Sequence, residues 1–264
     1  MNIGIITAEV DASNGWAQMS LSIIAGLRDL GLPVRVVGAK GTAGADFAIL
    51  PRLAKAERGV LLQQAITAPA VVRALSDCDI VHTLVEPFAP LGVLVAGRRP
   101  HILTVAGTYA ALPLMRRFPV GSLYRWAFER STAVCISRYT QTIFEHAAPH
   151  ARSVVIRNGV DAVGLMDRAK ELAPFPKRGP LVLFVGAVKE RKGAIHLIRA
   201  MKRVCEANPN ASCIIIGSVS SEPAYVQKIR AEIDHLSLTE KVSLLGHVSD
   251  EDLLRWYKTA DVLV

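Results

Sequence analysis

Two segments of the chain place anion-binding residues where a buried strand hands over to a helix. The richer one is Val185-Gly186-Ala187-Val188-Lys189-Glu190-Arg191-Lys192-Gly193. Its glycine-bounded loop crowds Lys189, Arg191 and Lys192 at the expected start of a helix. A helix start already carries partial positive charge, so each cation there costs about 0.3–1 kcal/mol unless an anion relieves it. A diphosphate shared between the cations and the helix N–H groups fits that chemistry; a solvated basic loop is the plainer alternative. The segment is not a P-loop, because G-x-x-x-x-G-K-[ST] is absent. The second segment is Glu9-Val10-Asp11-Ala12-Ser13-Asn14-Gly15-Trp16, again between an apolar run and an amphipathic stretch. It suits a phosphate equally, or a plain turn capped by Asn14. It lacks G-x-G-x-x-G, which argues against a nicotinamide or flavin cofactor.

The elements that must hold these loops follow from the apolar patterning. Short β-rich runs read as strands at 2–7, 34–38, 79–83, 101–105, 133–137 and 153–157, and again at 181–185, 212–216, 242–245 and 261–264. Helical periodicity lies between them at 16–30, 69–76, 87–97, 121–130, 138–146, 193–207, 223–236 and 250–259. Runs such as Ile3–Ile6 are apolar throughout, which implies burial on both faces and hence a parallel sheet covered by helices. The N-G-V-D turn at Asn158–Asp161 and the prolines at 174, 176 and 180 interrupt the pattern. They predict two Rossmann-like α/β domains, residues 1–161 and 178–264, joined by a linker at 162–177.

Composition narrows the function classes. The chain has 264 residues, 51% of them hydrophobic and 20% charged, with a formal charge of +8. It is core-forming, not disordered. No apolar stretch approaches the ~18 residues that a membrane span needs, and the start lacks the basic region of a secretory signal. Cys78, Cys135, Cys205 and Cys213 form no C-x-x-C pair, which argues against a zinc site or disulfide scaffold and fits a reducing cytoplasm. The cations are scattered and no nucleic-acid module is present, so nucleic acid is the weaker reading of the charge.

The ordered set of segments resembles the retaining glycosyltransferases of glycosyltransferase family 4. It runs through the strand, glycine loop and helix at 2–31, D-I-V-H at Asp79–His82, I-L-T-V-A-G-T-Y at Ile102–Tyr109, C-I-S-R-Y at Cys135–Tyr139 and I-R-N-G-V-D at Ile156–Asp161. It continues through the 185–193 loop, I-I-G at Ile215–Gly217, K-V-S-L-L-G-H-V at Lys241–Val248 and W-Y-K-T-A-D-V-L-V at Trp256–Val264. The resemblance covers nearly the whole chain. It implies the two-domain GT-B fold, a nucleoside diphosphate sugar donor held mainly by the second domain, an acceptor held by the first, transfer in the cleft between them, and no metal or other cofactor.

Carried over residue by residue, the resemblance puts Lys192 on the donor diphosphate, with Gly186, Lys189 and Arg191 beside it. Gly15 and Trp16 approach the phosphates from the first domain. Gly246, His247 and Val248 lie near the base, and His82, Ala106, Gly107 and Thr108 face the transferred sugar and acceptor. Three departures matter. Ala106 stands where the family often has a histidine that touches the sugar. Ala187 stands where it often has an arginine, a charge that Lys189 or Arg191 can supply. The family's pair of glutamates, eight positions apart, falls beyond Val264. The chain is therefore expected to be truncated, with an incomplete second domain and little or no transferase activity of its own.

Other residues carry weaker signals. His82 also reads as a satisfied strand histidine. Ser137 reads as a helix cap, since no G-x-S-x-G surrounds it. Glu86 reads as a helix-start carboxylate, or less readily as a ligand for an acceptor hydroxyl. Residues 98–130 hold Arg98, Arg99, Arg116, Arg117, Arg125 and Arg130 against Glu129, interleaved with aromatic and aliphatic residues. This composition suits peripheral contact with an anionic membrane face through 112–130, with a glycan or lipid-linked acceptor, or else ordinary packing with a basic rim. Alternative functions are a GT-B-type nucleotide-sugar epimerase and a non-catalytic module that binds sugar nucleotide or membrane.

Overall fold

The computed structural model describes residues 1–10, 15–52 and 60–264. The chain divides into two compact units, Met1–Gly159 and Val160–Val264.

In the first unit, the apolar runs become seven parallel strands: β1 Ile3–Ile6, β2 Val34–Ala39, β3 Phe47–Leu50, β4 Ile80–Thr83, β5 His101–Val105, β6 Thr132–Cys135 and β7 Arg152–Val155. Their order is β3-β2-β1-β4-β5-β6-β7. The helices are α1 Gly15–Asp29, α2 Val60–Ala74, α3 Ala89–Ala96, α4 Leu112–Met115, α5 Val120–Glu129 and α6 Arg138–Ala147. Successive strand residues point to opposite faces, so Ile3, Ile5 and Val36 cluster with Ile24 of α1, while Ile6, Val37 and Val81 cluster with Val71 and Ala74 of α2. Burial on both faces is the reason these strands carry no polar alternation. Because β1 and β4 are neighbours, the order reverses between them, and the crevice beyond their carboxyl ends is where ligands bind in such sheets.

The second unit repeats the plan with β8 Leu181–Val185, β9 Ser212–Ile216, β10 Val242–Gly246 and β11 Val262–Leu263, in the order β10-β9-β8-β11, all parallel. Its helices are α7 Ala162–Lys170, α8 Ala194–Ala207, α9 Pro223–His235 and α10 Asp250–Thr259. Ile198, Cys213 and Ile229 are fully buried between α8, α9 and the sheet.

The structure corrects two readings and adds two elements. The expected linker at 162–177 is largely folded. Asp161 caps α7, accepting from the Gly164 N–H at 2.9 Å. The proline-rich strap after α7 is pinned to α10: Phe175 lies 4.4 Å from Trp256 under the Arg255 guanidinium, its N–H donates to Thr259, and Lys258 donates to the Ala169 and Leu172 carbonyls. Prolines here fix a path over α10 without making it loose. Helix α2 begins at Val60, well before the expected 69, because Pro69 sits inside it. Strand β3 and helix α4, four residues each, were too short to show a period in the sequence.

Candidate functional site

In the second unit the loops after β8, β9 and β10 are built from backbone. Gly186 donates its N–H to the Ile216 carbonyl (2.8 Å), Gly217 to the Gly246 carbonyl (2.8 Å) and Val188 to the Ser218 carbonyl (2.9 Å). Three glycines, Gly186, Gly217 and Gly246, thus stand in a row at the carboxyl edge of the sheet. Gly217 has φ +139°, and a Cβ there would lie 2.2 Å from the Gly186 oxygen. Only glycine lets the two loops touch. Gly246 has φ +73° and open space where a Cβ would be. His247 beyond it is exposed and Val248 half-buried.

Lys189, Arg191 and Lys192 lie between this edge and α8. Lys189 precedes a 3-10 turn, Glu190–Lys192, and Gly193 follows in the left-handed region at φ +72°. Arg191 and Lys192 are exposed and Lys189 half-buried. Among the described residues none of the three has an ion-pair partner. The start of α8 itself is more closed than the sequence suggested: the Ile195 N–H donates to the Tyr225 hydroxyl (3.2 Å) and the His196 N–H to the Gly193 carbonyl (2.9 Å). The cations therefore outweigh the helix N–H groups as anion ligands. Helix α10 in the same unit shows the opposite choice, with Asp250, Glu251 and Asp252 in its first turn and Ser249 as cap. One helix start obeys the dipole and the other opposes it.

In the first unit the corresponding loops follow β1, β4 and β5. Asp11–Asn14 lie outside the described residues, so the expected Asn14 cap is not placed. Gly15 opens α1 and is exposed, with open space for 4 Å around the place a Cβ would take. Trp16 packs on Tyr109 of the β5 exit at 5.4 Å, which brings Gly15–Trp16 to the Ala106–Gly107 loop; Thr108 begins the 3-10 turn that carries Tyr109. The β1 exit is anchored by the Thr7–Ser20 hydroxyl pair (2.7 Å) and by the Val10 N–H to Thr42 (2.7 Å).

Glu86 stands in the first turn of the 3-10 helix Glu86–Phe88, at a helix start as the sequence suggested, but the sequence did not disclose its partners. Its side chain is fully buried. It turns inward, where Oε1 accepts the N–H groups of Ala106 (2.8 Å) and Gly107 (3.2 Å), while Oε2 has no partner. The next carbonyl, that of Pro87, is held by Gln64 (2.8 Å) and Tyr124 (3.2 Å). Burial pushes the Glu86 carboxyl upward, against the downward pull of backbone N–H groups including those of Ala106 and Gly107. The E-P pair just after a strand was its only local signal. His82 bonds Thr104 (2.8 Å), and His101 bonds both Thr83 (2.9 Å) and Ser131 (2.7 Å). Burial pulls these imidazoles down to about 4 and about 3, so both are neutral props. Ser137 caps α6 as expected.

Residues 13–163 match the sequence profile described as Glycosyltransferase Family 4, and residues 166–264 match Glycosyl transferases group 1. The chain belongs to glycosyltransferase family 4. A phosphatidyl-myo-inositol mannosyltransferase of Mycobacterium leprae is 28% identical over 70% of the chain, and a GDP-mannose-dependent monoacylated alpha-(1-6)-phosphatidylinositol monomannoside mannosyltransferase of Corynebacterium glutamicum is 24% identical over 78%. The chain spans 48% and 55% of their own lengths. Among solved structures, the sucrose-phosphate synthase of Thermosynechococcus elongatus superposes with TM-score 0.75 at 14% identity, covering 100% of this chain and 75% of that one. Anabaena Alr3699/HepE in complex with UDP gives 0.66 at 17%, covering 100% and 73%. These likenesses establish the GT-B fold for the family member described here.

Proposed function

We propose that this chain carries the donor and acceptor loops of a glycosyltransferase that moves a hexose-type sugar from a nucleoside diphosphate sugar to an acceptor, with retention. The observation that carries the reading is the row of strand-exit glycines beside three cations that, among the described residues, have no ion-pair partner, in a member of this family. Lys192, Arg191 and Lys189 take up the charge that develops on the diphosphate as the bond to the sugar breaks. Stabilisation of developing charge by groups already in place often contributes more than any other effect to the rate of such a reaction. Gly186 admits the phosphates to the backbone, and Gly246, His247 and Val248 lie beside the base. From the first unit, Gly15 and Trp16 approach the phosphates, while Ala106, Gly107 and Thr108, backed by His82, serve the sugar and acceptor. The cations supply the positive charge, so the reading calls for no metal or other cofactor. The inositol-lipid mannosyltransferases among the relatives support a lipid-linked acceptor, and the UDP complex of the Anabaena protein supports a nucleotide donor.

The test is thermal stabilisation of the 264-residue chain by a panel of nucleoside diphosphates, since binding to the folded state raises its melting temperature by mass action. At least one diphosphate is expected to raise it, and the R191A/K192A variant is expected to lose the shift. A shift that survives the double substitution, or no shift with any diphosphate, refutes the assignment.

A further inference from the structure

We infer that the exposed α4–α5 face of the first unit docks on an anionic lipid surface. The inference deepens the proposed function by naming where a membrane-borne acceptor is met, but its geometry stands by itself. Helix α5 buries Gly121, Tyr124, Ala127 and Phe128 against the sheet. Its outer stripe is Leu123, Trp126 and Arg130, and the Arg130 guanidinium lies over the Trp126 ring at 5.2 Å. Helix α4 packs beside α5 and exposes Leu114 at 48% and Met115 at 55%, while the segment joining the two helices carries the most exposed large apolar side chain of this region, Phe118 at 86%.

The charge on this face has one sign. Arg116, Arg117, Arg125 and Arg130 are exposed or half-buried and, among the described residues, have no carboxylate partner. Glu129 is the sole acid between 112 and 130. Arg99 does not belong to the set, although the sequence grouped it there. Its guanidinium donates to the Leu75 (2.6 Å), Cys78 (2.8 Å), Ala96 (3.1 Å) and Val95 carbonyls, tying α2 to α3.

Apolar tips ringed by arginines match a lipid interface. The Leu, Met, Phe and Trp bodies enter the boundary between headgroups and acyl chains, and the guanidinium groups stay at the level of the lipid phosphates. A nucleic acid would use the arginines but not three protruding apolar side chains ahead of them.

The experiment is co-sedimentation of the full chain with vesicles of phosphatidylcholine alone and of phosphatidylcholine mixed with phosphatidylglycerol. Binding is expected for the anionic vesicles only, and is expected to fall as salt is raised. R116A/R117A should lower the partition coefficient about 25-fold, at about fivefold per arginine. M115S/F118S should lower binding at low and high salt alike. All four side chains are exposed, so both variants should keep the wild-type melting temperature. Failure to bind anionic vesicles, equal binding to neutral ones, or binding that both variants retain would overturn the inference. So would self-association abolished by M115S/F118S in the absence of vesicle binding, which would make this face a protein interface. None of these outcomes bears on the diphosphate test, which reads residues of the other unit.

Discussion

The β5 exit of the first unit and the β8 exit of the second occupy comparable places in two parallel sheets, yet they are finished in opposite ways. At the β5 exit a buried carboxyl consumes the N–H groups of Ala106 and Gly107, and no cation is nearby in sequence. At the β8 exit the backbone is bonded to the next strand's loop, and three cations are left without ion-pair partners among the described residues. In the first arrangement the protein itself supplies the acceptor for both N–H groups. That leaves those two N–H groups unavailable to an anion. The second is in electrostatic conflict until something negative arrives. The contrast separates the two exits by charge more clearly than either loop does alone.

Glycine substitutions break the comparison most strongly. Gly217→Ala places a Cβ 2.2 Å from the Gly186 oxygen at a φ of +139°. Strain and overpacking together are expected to cost on the order of 3 kcal/mol. Gly107→Ala meets nothing within 4 Å, and its backbone is extended, so it is expected to be nearly neutral. Urea midpoints of the two variants check this. A tolerant Gly217 would mean that the second unit's loops are not held against each other.

Glu86 comes next. Glu86→Leu leaves two N–H groups without their acceptor in a buried place, which is expected to cost about 2 kcal/mol. Glu86→Gln keeps an accepting oxygen and should cost less. The pH dependence has a definite sign. The folded-state carboxyl is raised above its ordinary value of 4.5. Its contribution is therefore fully present below that pH and is lost as pH rises towards the folded-state value, because the unfolded chain ionises first. Glu86→Gln removes this loss, so the variant should compare better with wild type at pH 7 than at pH 4. A difference independent of pH would show that Glu86 is ionised in the fold.

These two cases also mark what the sequence could disclose. Gly186, Lys189, Arg191 and Lys192 sit within one run of seven residues, and the conflict they create with a helix start is local, so it was readable. The strands other than β3 were readable for the same reason, since a run such as Ile3–Ile6 states its own burial. The partners of Glu86 were not legible, because they lie about 20 positions away and are backbone atoms, which have no residue type to recognise. The Trp16–Tyr109 contact and the pinning of 171–177 on α10 were hidden likewise, because they depend on which elements become neighbours. Gly217 was visible within I-I-G, but its function as a spacer against Gly186 appears only when β8 and β9 pair.

The smallest effect is the sharpest test of the comparison, because its sign differs from the others. If the cations before α8 are held there for a ligand, the empty protein bears their mutual repulsion and their conflict with the helix dipole. Neutralising Arg191 and Lys192 together should then stabilise the ligand-free chain, on the order of 0.5 kcal/mol at low salt, while abolishing its response to a diphosphate. The gain should shrink as salt screens the charges. Glu86→Leu, by contrast, should destabilise whether or not any ligand is present. Melting curves of the R191Q/K192Q variant at low and high salt decide the point. A loss of stability would mean that the cations make structural contacts, and the two strand exits would then differ only in composition, not in purpose.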